Sequence, residues 1–146
     1  MNRDITITYS KSDLWWKTTL EDLWVTILEG GSNYWVDKIE HNLTARVYKN
    51  LYGTGIDTEF KSELPSLKNG EDLMHNFQVI VYHGADESDS RVYSETVRVK
   101  TFDVIYDGIK LLSDDVKMTI MNNGDWDAND ADHIFQLGVF GEVRYG

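Results

Sequence analysis

Between residues 12 and 29 the apolar side chains Trp16, Leu20, Leu23 and Ile27 recur at three- and four-residue intervals, and Trp24 and Leu28 widen the row. Side chains so spaced stand above one another on an α-helix, so this segment is expected to coil with one broad apolar stripe. A stripe of that width needs a cover, and the rest of the chain has to provide it. Ser10 followed by Asp13 has capping-box spacing, with Asp where Glu or Gln is usual, and marks the helix start. Gly30-Gly31 marks the stop, because glycine takes up the left-handed conformation that closes a helix C-terminus without steric cost.

The cover is expected to be a sheet. Ile5, Thr6, Ile7, Thr8 and Tyr9 alternate apolar and polar side chains, as a first strand with one face on a core would. Residues 35–40, 43–49, 77–83 and 92–101 hold the β-branched and aromatic side chains that suit a half-buried pleated surface. Between the last two runs lies Gly84-Ala85-Asp86-Glu87-Ser88-Asp89-Ser90, a polar, turn-forming connection that predicts an antiparallel hairpin with an acidic loop.

After Thr101 the period becomes helical again. Phe102, Ile105, Ile109 and Leu112 form one stripe; Val116, Ile120 and Met121 form a second, capped at Ser113-Asp114-Asp115. Asn129, with Asp132 three residues on, is expected to cap a last helix whose apolar face is Ala131, Ile134, Phe135, Leu137 and Phe140. This order predicts an α+β fold, an antiparallel sheet packed by an N-terminal helix and C-terminal helices. No repeat or linker divides the sequence, so residues 1–146 are expected to form a single domain.

Charge and composition exclude several function classes. The 25 Asp and Glu against 14 Lys and Arg give a net charge of -11, which repels phosphate backbones and anionic headgroups, so neither direct nucleic-acid binding nor membrane association is expected. The absence of Cys rules out a disulfide framework, a thiolate nucleophile and a Cys-based zinc site, and it suits a reducing cytoplasm. There is no signal-like N-terminus and no window near the roughly 18 apolar residues that span a bilayer. The expected location is cytoplasmic.

The candidate sites are few. Glu29-Gly30-Gly31-Ser32-Asn33-Tyr34-Trp35 has the glycines of a phosphate cradle, but they follow a helix, where carbonyls and a partial negative charge discourage phosphate. A structural cap is the simpler reading, with Ser32, Asn33 and Trp35 left as possible lining of a pocket. Asp125, Asp127 and Asn129 alternate as the first ligands of a calcium loop do; the sixth position is then Asp130 instead of Gly and the twelfth Gln136 instead of Glu. An acidic loop that feeds a helix N-terminus explains the same residues.

His41, His75, His83 and His133 are not paired at helix or strand spacing, and there is neither a nucleophile elbow nor a P-loop, so no catalytic residues and no cofactor are expected. Trp15 and Trp16 cannot both face inward, because neighbouring helix positions point about 100° apart. One is therefore expected at the surface as an interface anchor, alongside the acidic Asp86, Glu87 and Asp89.

Two stretches together, residues 28–35 (Leu-Glu-Gly-Gly-Ser-Asn-Tyr-Trp) and residues 130–146 (Asp-Ala-Asp-His-Ile-Phe-Gln-Leu-Gly-Val-Phe-Gly-Glu-Val-Arg-Tyr-Gly), resemble small uncharacterised proteins of bacteriophage and prophage genomes. That family brings no activity; the resemblance implies a phage-encoded accessory protein. Physically, residues 31–35 and residues 141–146 are expected to pack side by side, their glycines permitting close backbone approach.

In size and charge the chain is also similar to anti-CRISPR proteins. The resulting expectation is a non-enzymatic inhibitor whose partner is a host protein such as a defence nuclease, engaged at a groove lined by Lys and Arg. An oligomeric sponge for a nucleotide signal is the alternative; it requires Lys38, Arg46, Lys49, Arg98, Lys100 and Arg144 to converge on a pocket near Trp35. A phage structural or replication part, with stable homo-oligomers, is the third reading.

Overall fold

The computed structural model describes residues 11–41, 44–47, 66–85, 88, 89, 91 and 94–146, with the backbone alone over Thr44–Val47. The strand expected at residues 5–9, Ser10, Asp86 and Glu87 lie outside the described residues. The long helix α1 spans Asp13–Thr26 and buries Trp16, Leu20, Leu23 and Trp24, four of the expected stripe. Its cap is Ser12, whose Oγ accepts from the Trp15 amide at 3.1 Å, and not Ser10. A hydroxyl directly before the first turn reaches an unpaired amide there.

The expected left-handed stop at Gly30-Gly31 does not occur. Neither glycine has positive φ; the chain widens into a single π-turn, Ile27–Gly31, which ends with the Ser32 amide bonded to the Ile27 carbonyl at 3.1 Å. Packing decides this. Gly31 is buried, and a Cβ there would stand 3.1 Å from the carbonyl oxygen of Ala128, so this glycine admits a neighbouring helix instead of turning the chain.

Four strands follow: β1 (Val36–His41), β2 (Thr44–Val47), β3 (Gln78–His83) and β4 (Glu95–Lys100). They form an antiparallel sheet in the order β2-β1-β3-β4, and the α+β expectation holds. Val79, Val81 and His83 face the core, and Ile80 and Tyr82 the other side, as the two-residue period requires. In β1 the register slips between Val36 and Lys38, and Asp37 turns inward at this bulge. Its Oδ2 accepts from the Ala85 amide at 2.9 Å and Ser94 Oγ at 2.6 Å, which ties down both ends of the connection to β4.

The remaining helices are α2 (Gly70–Met74), α3 (Asp103–Lys110), α4 (Asp114–Met118) and α5 (Ala128–Phe140). Trp24 Nε1 donates to the Thr101 carbonyl at 3.0 Å, and Thr101 Oγ1 donates to the Leu73 carbonyl at 2.8 Å, so the indole of α1 pins the exit of β4 and the end of α2. Ser113 occupies the expected N-cap of α4, but its hydroxyl makes no cap bond. Helices α3 and α5 cross through two glycines: a Cβ on Gly108 would collide with the Ile134 carbonyl, and one on Gly138 with the Val104 carbonyl. Among the described residues no helix is long and apolar enough to cross a membrane.

Candidate functional site

The expected meeting of residues 31–35 with residues 141–146 takes place, through Tyr34 and Trp35 against Tyr145 and around one carboxylate, but not through close-packed glycines, since a Cβ on Gly141 or Gly146 would meet nothing within 4 Å. Helix α5 begins with a capping box between Asp127 and Asp130, so the N-cap is Asp127 and not Asn129. Both are good capping residues; the chain reaches helical geometry at Ala128, which leaves Asn129 inside the first turn. Asp132 and Gln136, four residues apart, then share the face of α5 that looks at the exit of α1.

Asp132 is 3% exposed and its carboxylate accepts four hydrogen bonds. Ser32 Oγ and Trp35 Nε1 each donate to Oδ1 at 2.7 Å; Tyr34 Oη and Gln136 Nε2 donate to Oδ2 at 2.6 and 2.9 Å. Gln136 extends the set to the C-terminal residues: its Oε1 accepts from the Arg144 and Tyr145 amides, both at 2.8 Å, and its Nε2 donates to the Tyr145 carbonyl at 2.9 Å. The Tyr145 ring stacks on Trp35 with centroids 5.2 Å apart and planes 7° from parallel, and its hydroxyl lies 2.8 Å from His83 Nδ1.

The arrangement is a fastening. A carboxylate offers about four lone-pair sites, and four donors fill them, so Asp132 keeps none with which to act as a base or ligate a metal. Tyr34 is pushed up to about 12 by burial, helped by the hydrogen bond and charge of Asp132, which holds its hydroxyl protonated as a donor. Burial pulls His83 below the usual histidine range; nearby Glu95 opposes the shift and Arg144 adds to it.

Several expected site residues are therefore not where a partner can touch them. Trp16, Ser32 and Trp35 are buried. Trp15 is half-buried, edge-on to Trp16 at 4.9 Å and under the ammonium of Lys11, which is 5.4 Å from its ring. Asn33 is exposed, and Asp89 is engaged by Arg91 at 3.0 Å. Asp125, Asp127 and Asn129 are exposed, but Asp127 Oδ1 is taken by the Asp130 amide at 2.8 Å, and among the described residues no group of three His, Asp or Glu side chains could hold a metal.

Of the cations required of a nucleotide sponge, the described ones do not gather at Trp35. Arg144 lies over Phe140 beside it, but Lys38 is on the outer sheet face with Glu40 at 3.4 Å and the Tyr82 ring at 4.3 Å. Arg98 and Lys100 line a separate groove next to α3, and the side chains of Arg46 and Lys49 lie outside the description. Sequence reasoning missed Asp132 as the hub, although its four-residue spacing from Gln136 and the run Ser32-Asn33-Tyr34-Trp35 carried the signal.

Among the described residues the exposed large apolar side chains are Leu14, Tyr34, Leu111 and Val143. Leu111 borders an open cavity of about 360 Å³ with Asp107, Lys110 and Leu137. No protein-family model matches the chain, and comparison with curated proteins and with solved structures yields no match either.

Proposed function

We propose that the chain is a small, acidic, phage-encoded accessory protein that acts by binding, occupying a Lys- and Arg-lined groove of a host defence protein and inhibiting it without catalysis. The observation that carries this reading is the charge of the C-terminal helical region. Residues 102–132 hold eight aspartates against Lys110 and Lys117 alone, and Asp103, Asp107, Asp114, Asp115, Asp125 and Asp127 are all exposed. Leu111, 54% exposed, borders a cavity with Asp107 in the same region and offers an apolar anchor in place of the tryptophans.

The test is plaquing efficiency of a defence-sensitive phage in hosts that carry individual nuclease-based defences and express this chain. Wild type should restore plaquing against at least one defence, and the triple variant Asp114→Asn, Asp115→Asn, Asp125→Asn should lose that effect while melting like wild type. Binding to the purified defence protein should weaken steeply with added salt. Protection unchanged in the triple variant, or none against any defence, removes the reading.

A further inference from the structure

We infer that the outer edge of β4 takes an extended segment of a partner protein as a fifth strand, and that this segment carries acidic side chains at every second position. The Thr101 amide donates to the Phe77 carbonyl at 3.0 Å, so the bonded pairs of the ladder continue through Val79–Val99, Val81–Val97 and His83–Glu95. The backbone groups of Thr96, Arg98 and Lys100 therefore point away from β3, along the last strand of the described sheet.

Beside that edge lies a cavity of about 270 Å³, with Arg98 and Lys100 on the β4 side, Asp103 and Asp107 of α3 opposite, and Val99 and Val104 between them. Neither Arg98 nor Lys100 forms an ion pair among the described residues. A strand laid here would place one row of side chains beside Arg98 and Lys100 on the outer face, where carboxylates are favoured. Its alternate row would turn inward over Val99 and Val104 toward Asp103 and Asp107, where a carboxylate is repelled and a small apolar group fits. Period-two alternation of acid and apolar residues is thus what this edge selects. Charged residues on an edge also serve merely to block unwanted pairing, and the experiment separates the two roles. The inference does not rest on the acidic-surface reading, whose carboxylates substituted above lie on α4 and before α5.

Blocked hexapeptides that alternate Glu with Val, hold the same residues as a Glu block and a Val block, or carry Lys for Glu are titrated into the labelled full chain. Amide resonances and peptide anisotropy are recorded. The alternating peptide should shift the Thr96, Arg98 and Lys100 amides more than those of Val97 and Val99. The block peptide should bind about tenfold more weakly and the Lys peptide not at all. Thr96→Pro removes an outward N–H and should cost binding without lowering the melting temperature; Arg98→Glu with Lys100→Glu should reverse the preference toward Lys. Equal binding of all three peptides, no shift at millimolar peptide, or the same shifts arising from self-association without peptide would each overturn the inference.

Discussion

Asp132 Oδ1 accepts the indole N–H of Trp35 at 2.7 Å across 97 residues of chain, and this bond joins α5 to the segment between α1 and β1. Cutting it at Asp132 leaves the buried donors of Ser32 and Trp35 without acceptors. Asp132→Ala should therefore cost about 3 kcal/mol or more, well above an ordinary surface change. Urea unfolding followed by tryptophan fluorescence measures it, and Tyr145→Ala, which unstacks Trp35 but leaves the carboxylate in place, should cost less. A loss under about 0.5 kcal/mol for Asp132→Ala would mean that the network does not hold the tail.

The crossing of α3 and α5 makes a second demand. Gly108→Ala and Gly138→Ala each drive a methyl group into a facing backbone carbonyl, which cannot rotate away as a side chain does. Each should lower stability by about 2–3 kcal/mol, the upper part of the range for overpacking. Gly30→Ala is the control: a Cβ there meets nothing within 4 Å and φ is not positive, so that change should be neutral or stabilising by up to about 1 kcal/mol. Thermal melting of the three variants decides between a close crossing and a loose one.

Acid should weaken the fold through two histidines. Burial lowers His41 and His83 below their ordinary value, so between the lowered values and about 6.5 the unfolded chain binds protons that the folded chain does not. Stability then rises with pH: this contribution is complete above about 6.5 and is lost as pH falls through the folded values, with a slope of at most about 1.4 kcal/mol per pH unit for each histidine. Urea midpoints between pH 7.5 and 5 give the slope, and His83→Gln, which retains a polar group toward Tyr145, should make it shallower. An unchanged slope would clear His83 of the effect.

The parts of this fold that were legible beforehand are those set by local period. The stripe of α1, the β-branched runs of β1, β3 and β4, and the stripe of Ile105 and Ile109 all stand where spacing puts them, because each pattern matches only one backbone geometry. What spacing could not convey was choice between equivalents. Ser12 and Ser10, Asp127 and Asn129, and Trp16 and Trp15 are pairs in which either residue suits the role; the residue at which helical geometry begins chose the caps, and packing on Phe102 and Tyr106 took Trp16. The fate of Gly31 depended on Ala128, and that of Ser32 and Trp35 on Asp132, partners about a hundred positions away whose pairing no local period encodes. The two stretches meet as expected, but they close on the Asp132 carboxylate, and a Cβ on Gly30, Gly141 or Gly146 would meet nothing within 4 Å.

Tyr34 offers a spectroscopic check on the same closure. Its ring is half exposed, yet burial of the hydroxyl end, together with the hydrogen bond and charge of Asp132, raises it to about 12, against a smaller opposing effect of Gln136. A phenol raised in this way favours the fold while protonated, so its contribution is complete below about 10, the ordinary tyrosine value, and is lost as pH climbs from there to the folded value. Tyrosinate absorbance should accordingly show a late-titrating component that disappears in Tyr34→Phe and moves to lower pH in Asp132→Asn. Tyr82, raised by burial and by Glu40, also titrates late, so Tyr82→Phe is needed to divide the late absorbance between the two rings. If Tyr34→Phe leaves the late component intact once Tyr82 has been removed, the Tyr34 hydroxyl is not bonded to Asp132 in solution.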